Sequence, residues 1–277
     1  MASSQSSKTS LKSLILQYKD KLSIDELDSL MALALHKNIE YVYKNPNKPI
    51  NRSTILTFKK LLNKRLNNYS LAYLKGYKEF FNLKFIVNKH TLIPRPDSEI
   101  LVEEALKLTK DKQNIIDIGT GTGALILSVA YNNKHRAKYT ACDISSKALK
   151  IAQTNARKLN LKNHIHFIKS NLLNNIEGKF DLVLANLPYL SSKQMKEPSI
   201  LKEPSSALVS GKDGLNHYKE LLKQIPSHLN NKYTILLEID SKQVEQIKKE
   251  INNNLPQAKI NFLKDLANNI RVVKITQ

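Results

Sequence analysis

The chain is short of the residues that staple or anchor a protein. It has one cysteine, Cys142, so no disulfide can form within it, and that thiol lies in an apolar run that predicts a buried strand. No apolar stretch approaches the roughly 20 residues that cross a bilayer. The serine-rich start, Met1–Ser10, lacks the apolar core of a secretory signal, so a flexible tail and a cytoplasmic protein with no membrane partner are expected. The seven histidines are scattered, and no His/Cys cluster has metal-ligand spacing, which predicts no metal. Glycine is scarce, yet three of its seven copies crowd into Gly119–Gly123. Acidic residues number 24 against 44 basic ones. A net charge of +20 invites nucleic acid. The lysines, however, run along the whole chain among abundant Asn and Ile, which reads as composition bias as much as a designed patch. Such charge favours encounters with ribosomes or acidic proteins without selecting a substrate.

What is present suffices for a folded globular protein. Hydrophobic residues make up 41% of 277, enough for a substantial core in one or two domains. Residues 11–75 read as helices: Leu11, Leu14, Ile15, Tyr18 and Leu22 recur at helical spacing, and Ser23 with Glu26 forms a capping pair before Leu27, Leu30 and Met31. A further helix is expected at about 52–67. Tyr77–Phe81 and Lys84–Val87 change to a strand period around Asn82-Leu83, predicting a hairpin. From residue 98 strands and helices alternate. Strands are expected near 114–118, 138–143, 164–168, 180–185 and 232–239, helices near 98–110, 123–133, 146–160, 214–229 and 241–253. Two last strands fall near 258–263 and 270–276. That order implies an α/β fold with a mostly parallel sheet covered on both faces.

Two motifs carry chemistry. Asn114-Ile-Ile-Asp-Ile-Gly-Thr-Gly-Thr-Gly123 is a short apolar strand running into closely spaced glycines and then a helix. Glycines allow a tight turn and let a ligand approach bare backbone, and a helix start offers unpaired N–H donors. The following strand ends in Asp143, placed to accept hydrogen bonds from ribose hydroxyls. A nicotinamide dinucleotide and S-adenosylmethionine both carry such a ribose, so this feature alone leaves either open. The second motif is Phe180-Asp-Leu-Val-Leu-Ala-Asn-Leu-Pro-Tyr-Leu190. There a buried strand stops at Asn186, and a proline-stiffened Leu187-Pro188-Tyr189 follows. A carboxamide with rigid backbone at a strand's carboxyl end suits a planar –NH2 group.

Together these motifs resemble those of amino-group S-adenosylmethionine methyltransferases; a hydride-transferring enzyme has no evident use for Asn186. Tyr69-Ser-Leu-Ala-Tyr-Leu-Lys-Gly76, Leu92-Ile-Pro-Arg-Pro-Asp-Ser-Glu99, Glu203-Pro-Ser-Ser-Ala-Leu208, Leu237-Glu-Ile239 and Lys264–Val273 resemble the release-factor glutamine N5-methyltransferase family (PrmC/HemK). The resemblance implies a seven-stranded Rossmann-like methyltransferase domain (91–277) behind a small N-terminal helical substrate-docking domain (11–75) and a β-hairpin linker (76–90). It implies S-adenosylmethionine as methyl donor and the glutamine of the Gly-Gly-Gln loop in class I release factors as acceptor. The chain is expected to act as a monomer.

Residue by residue, the resemblance places the cofactor on Asp117, Gly119, Thr120, Gly121, Thr122, Gly123, Asp143, Asn171, Leu172 and Asn186, and the substrate amide and its catalysis on Asn186, Leu187, Pro188 and Tyr189, with Tyr189 a flat wall against the amide. The family's usual Asn-Pro-Pro-Tyr is Asn-Leu-Pro-Tyr here, and its usual acid after the third strand is Asn171. A backbone carbonyl at Leu187 is unaffected by the first change, and Asn171 still offers an amide to adenine. Because Asn-Leu-Pro-Tyr also occurs in rRNA adenine dimethyltransferases, adenine-N6 methylation of RNA or DNA is the alternative. Those enzymes carry their helical domain after the catalytic one and lack the Arg95-Pro96 segment. The roles of Arg95, Glu99 and Glu203 stay open.

Overall fold

The computed structural model describes residues 9–110, 113–194 and 200–277. It forms two compact units, the first reaching Lys75 and including 200–202, the second holding the rest from Gly76. The first unit is helical because apolar residues recur three and four apart behind good caps. Its helices are α1 (Leu11–Leu16), α2 (Ile24–Leu35), α3 (Ile39–Lys44), α4 (Arg52–Leu66) and α5 (Leu71–Lys75). Ser10, Ser23, Asn38 and Asn51 each accept the backbone N–H three residues on, starting the first four helices. Leu11, Leu14, Leu27, Leu30, Met31 and Phe58 are buried together. Of the expected tail, residues 1–8 lie outside the described residues. Thr9 and Ser10 are structured, since Thr9 O accepts from Ile50 N–H and Ser10 caps α1.

The second unit begins with a hairpin, β1 (Tyr77–Phe80) and β2 (Leu83–Ile86), and continues as a seven-stranded sheet. The strands are β3 (Gln113–Ile118), β4 (Ala137–Asp143), β5 (Ile165–Lys169), β6 (Phe180–Ala185), β7 (Leu229–Glu238), β8 (Lys259–Lys264) and β9 (Ile270–Thr276). Their order is β5-β4-β3-β6-β7-β9-β8, parallel throughout except that β9 runs antiparallel to both neighbours. Helices α6 (Glu99–Leu108), α7 (Ala124–Asn132), α8 (Ser146–Lys158), α9 (Asn216–Gln224) and α10 (Val244–Asn254) complete it. The strands read as unbroken apolar runs because both sheet faces are covered. Ile116, Ile118, Val183, Ala185, Ile235 and Leu237 enter one core, while Ile115, Leu182, Leu184 and Leu236 enter the other.

Some boundaries differ from the sequence reading for local reasons. The helix expected over 214–229 ends as α9 at Gln224 and tightens into a 3-10 turn over Ile225–His228, because Pro226 has no N–H to continue the ladder. The hairpin turn is centred on Phe81 and Asn82, not Asn82 and Leu83; both have positive φ (49° and 57°), as a two-residue hairpin turn requires. The hairpin expected as a linker is seated in the second unit. Phe80 and Phe85 join its core, and Asn155 of α8 accepts the Ile86 N–H at 2.8 Å and donates to the Ile86 carbonyl at 3.2 Å.

The topology explains how two distant motifs meet. The chain passes from β3 to β4 on one side, then crosses to place β6 on the other, opening a crevice at the carboxyl ends. Ile118 pairs with Ala185, so the residues that follow, Gly119 and Asn186, leave the sheet side by side although 67 positions separate them.

Candidate functional site

A cleft opens at this point, lined by Asp117, Gly119–Thr122, Asp143, Asn171, Leu172, Asn186, Leu187 and Pro188, with Thr91, Leu92, Pro94, Ser98, Pro204, Ala207 and His217 among its other walls. The glycine turn is held from beneath by strand β4: Gly119 and Thr120 N–H both donate to the Cys142 carbonyl at 2.9 Å. Gly121 N–H donates to Asp143 Oδ2 at 2.9 Å, and Ser145 N–H to Asp143 Oδ1 at 2.8 Å. These bonds leave Asp143 lone pairs free on both oxygens. Gly121 lines the cleft with φ +55°, so a side chain there would be strained; a Cβ would meet only the Gly119 carbonyl oxygen, at 3.9 Å. Asn155 closes the turn from behind, donating to the Thr122 carbonyl at 2.9 Å.

Asp117 is almost fully buried (1% exposed). Its Oδ2 accepts the Thr120 hydroxyl at 2.6 Å, while Oδ1 has no hydrogen-bond partner. The Ile126 amide of α7 favours the ionised carboxylate without meeting hydrogen-bond geometry at Oδ1. Burial dominates and pushes the carboxyl up to about 7. Burial raises Asp143 in the same direction, and pushes the Cys142 thiol up to about 12, so that thiol is an inert packing group whose Sγ lies 3.5 Å from the Leu172 carbonyl.

Asn186 leaves β6 half-buried, and its amide is fixed from behind. Nδ2 donates to Glu238 Oε2 at 2.8 Å and to Ser98 Oγ at 3.0 Å. An amide is planar, so anchoring both N–H bonds there turns Oδ1 away from Glu238 and Ser98. Leu187 N–H donates to the Tyr218 hydroxyl at 3.2 Å, a partner that a proline at this position would leave without a donor. The Leu187 side chain is buried, and its Cδ2 lies 2.8 Å from where a Cβ on Gly119 would stand. Side chain and glycine thus lock the two motifs together. Asn171 is exposed beside buried Leu172 at the cleft wall.

One expected placement is corrected. Tyr189 does not line the cleft: its ring packs against the core, and its hydroxyl donates to Glu238 Oε1 at 3.2 Å. The buried carboxylate draws the hydroxyl inward, so the residue braces the site rather than walling it. Sequence reasoning gave no role to Glu238, Ser98 or Asn155. The available signal was a lone carboxylate in the apolar run Leu236-Leu237-Glu238-Ile239. All three residues left open have structural partners: buried Glu203 pairs with Arg95 and accepts the Ile93 N–H at 3.0 Å, and Glu99 Oε1 accepts Phe81 N–H at 2.9 Å, holding that residue in its left-handed turn.

Residues 96–213, which span both motifs, match the methyltransferase small domain family. A methyltransferase from Pyrococcus furiosus has the same fold over 71% of this chain and 89% of its own, at 21% identity and a TM-score of 0.53. The matched segment and the fold are those found in methyltransferases. A release factor glutamine methyltransferase from Borreliella burgdorferi is 34% identical over 240 residues, 84% of this chain and 83% of that protein. The chain belongs to the release factor glutamine methyltransferase family. A bifunctional methyltransferase from Rickettsia bellii is also 34% identical, over 89% of this chain, which spans only half (50%) of that relative's length.

Proposed function

We propose that the protein transfers a methyl group from S-adenosylmethionine to the side-chain nitrogen of the glutamine in the Gly-Gly-Gln motif of class I peptide-chain release factors. In this reading it works as a cytoplasmic monomer, takes no nucleic acid as substrate, and uses its helical unit, 11–75, to dock the release factor. The observation that carries the proposal is Asn186, whose two N–H bonds are tied inward at the lip of a cleft it shares with the glycine turn.

The cleft suits this cofactor in two respects. Asp117 Oδ1 is a buried acceptor with no donor of its own, which a cationic amino group would satisfy. Gly121 lines the cleft without a side chain to narrow it. Asp117, Gly119–Gly123, Asp143, Asn171, Leu172 and Asn186 would hold the molecule, with Asp143 towards ribose and Asn171 towards the base. When bound, it supplies an electrophilic methyl on a sulfonium, so no side-chain nucleophile is required of the protein.

The protein's own task is to hold and activate an amide nitrogen whose lone pair is delocalised into its carbonyl. Asn186 Oδ1 and the Leu187 carbonyl accept the two N–H bonds of the incoming glutamine. That arrangement favours localisation of the lone pair and stabilises positive charge developing on nitrogen, the cationic counterpart of an oxyanion hole. Pro188 stiffens the backbone that presents the Leu187 carbonyl. Fixing the amide in line with its partner accounts for up to roughly 7–11 kcal/mol of barrier lowering.

The test is to incubate the protein with labelled methyl donor and either a class I release factor or RNA. Label on the Gly-Gly-Gln peptide is the expected result. Label on adenine, or on neither polymer, overturns the proposal.

A further inference from the structure

Glu238 is a carboxylate at the carboxyl end of an interior strand, 2% exposed, with both oxygens turned to the clamp. Oε2 takes the Asn186 N–H, Oε1 takes the Tyr189 hydroxyl, and the Ser98 hydroxyl also donates to it. Ser98 Oγ in turn accepts the other Asn186 N–H. The Glu238 backbone carbonyl accepts the Tyr218 hydroxyl. Three elements far apart in sequence thus converge on this one residue at the end of β7: the turn before α6, the loop after β6, and α9.

An Asn side chain reads nearly alike with oxygen and nitrogen exchanged, so something must decide which end enters the cleft. Only an acceptor behind the amide selects N–H inward and Oδ1 outward. An ionised carboxylate accepts and cannot donate; a protonated one can donate to Oδ1 and release the opposite orientation. We infer that Glu238 is the positioning residue of the clamp: as a carboxylate it holds the Asn186 amide with Oδ1 towards the cleft, and so makes the site an acceptor for an –NH2 group. This rests on the proposed reading of Asn186 as the amide clamp. It extends that reading by assigning selectivity. With Oδ1 outward the site welcomes glutamine and repels the carboxylate of a glutamate in the same place.

The surroundings make this orientation dependent on pH. The groups facing Glu238 are Asp97 and Ser98 from the turn before α6, Tyr189 after β6, Tyr218 on α9 and Arg271 on β9, with Asp240 beside Tyr189. Arg271 is shared between Asp97 at 2.9 Å and Asp265 at 2.8 Å, so it does not pair with Glu238 directly. Burial, aided by Asp97, pushes the Glu238 carboxyl up to about 7. Turnover should therefore rise with pH as the residue ionises. Asp117 also sits at about 7, so the limb has to be assigned with a variant.

The experiment measures kcat, KM for a class I release factor and the pH profile for wild type and Glu238→Gln, with S-adenosylhomocysteine affinity by calorimetry and melting to confirm folding. The expected result for the variant is a kcat at least about tenfold lower, cofactor affinity within about threefold, and loss of the acid limb of kcat near neutrality. A wild-type kcat, a retained acid limb, or loss of cofactor affinity in step with kcat overturns the inference. Should that variant fail to fold, Ser98→Ala tests the same geometry: lowered kcat with retained cofactor affinity supports it, and unaltered kcat overturns it. If wild type itself places no label on the release factor, the proposed function falls and takes this inference with it. If wild type labels and the variants match it, only the inference falls.

Discussion

Asp117 at the end of β3 and Glu238 at the end of β7 are buried to the same degree, and burial pushes both up to about 7, yet they stand in opposite situations. Glu238 has donors at both oxygens, while Asp117 has one oxygen with none. A buried acceptor without a donor costs about 1–3 kcal/mol, which is tolerable where a ligand completes it. The difference separates two ways of building a site. On the side proposed for the cofactor the protein presents backbone and leaves a demand open. On the side proposed for the substrate it closes the bonds behind one amide so that the amide has one orientation.

The largest test acts on the open side alone. Gly121→Val adds a branched side chain at φ +55° on a residue that lines the cleft. Calorimetry should find cofactor affinity reduced by about 100-fold or more, since the loss combines backbone strain with steric exclusion. Unchanged affinity would displace the cofactor from the glycine turn. Asn186→Asp strikes the closed side. It replaces both N–H donors with a carboxylate oxygen 2.8 Å from Glu238 Oε2, so the two acids must share a proton or separate. Turnover should fall by about 100-fold, with cofactor affinity within about threefold of wild type. Wild-type single-turnover rates would remove Asn186 from the chemistry.

The same contrast decides what could be read from the sequence. The glycine turn is legible because its determinants are contiguous: glycines within five residues, an apolar strand before them and an acid ending the next strand. The alternation of apolar strands and helices likewise followed from local pattern. The closed side is not local. Asn186 meets Glu238 across 52 positions and Ser98 across 88, and only the strand order β3-β6-β7 brings them together. Tyr189 was misread for the same reason, since its ring direction depends on a carboxylate 49 positions away. Phe81, unexpected at a positive φ, is held there by Glu99, 18 positions on.

Linkage separates the two acids more finely. A carboxyl raised from 4.5 to about 7 on folding leaves the unfolded chain ionised and the native one protonated between those values. The native state then binds more protons, so stability falls as pH rises through that window and stays lower above it. Replacing Glu238 by Gln removes this effect, so the variant's stability relative to wild type should increase by about 2–3 kcal/mol between pH 5 and pH 8. Denaturant unfolding at the two pH values measures it, and a gap independent of pH would mean that Glu238 is ionised throughout. Asp117→Asn should show a pH trend of the same sign. Only Asp117→Asn should weaken the cofactor, because of the two carboxylates only Asp117 lines the cleft and has an oxygen without a partner.

The smallest expected effect runs in the favourable direction. Asn171 stands at the cleft wall, exposed and carrying a neutral amide. If it receives the adenine amino group, an ionised carboxylate makes the stronger, charge-assisted acceptor, roughly twice as strong as a neutral one. Exposure and water competition reduce that advantage to about 0.5–1 kcal/mol. Asn171→Asp should therefore tighten S-adenosylhomocysteine by about threefold, with kcat for the release factor little changed, because the residue lies on the cofactor side and makes no bond to Asn186 or Glu238. A Kd that stays constant or rises would mean that Asn171 does not face the base, and that cofactor recognition at this wall depends on the buried Leu172 side chain beside it.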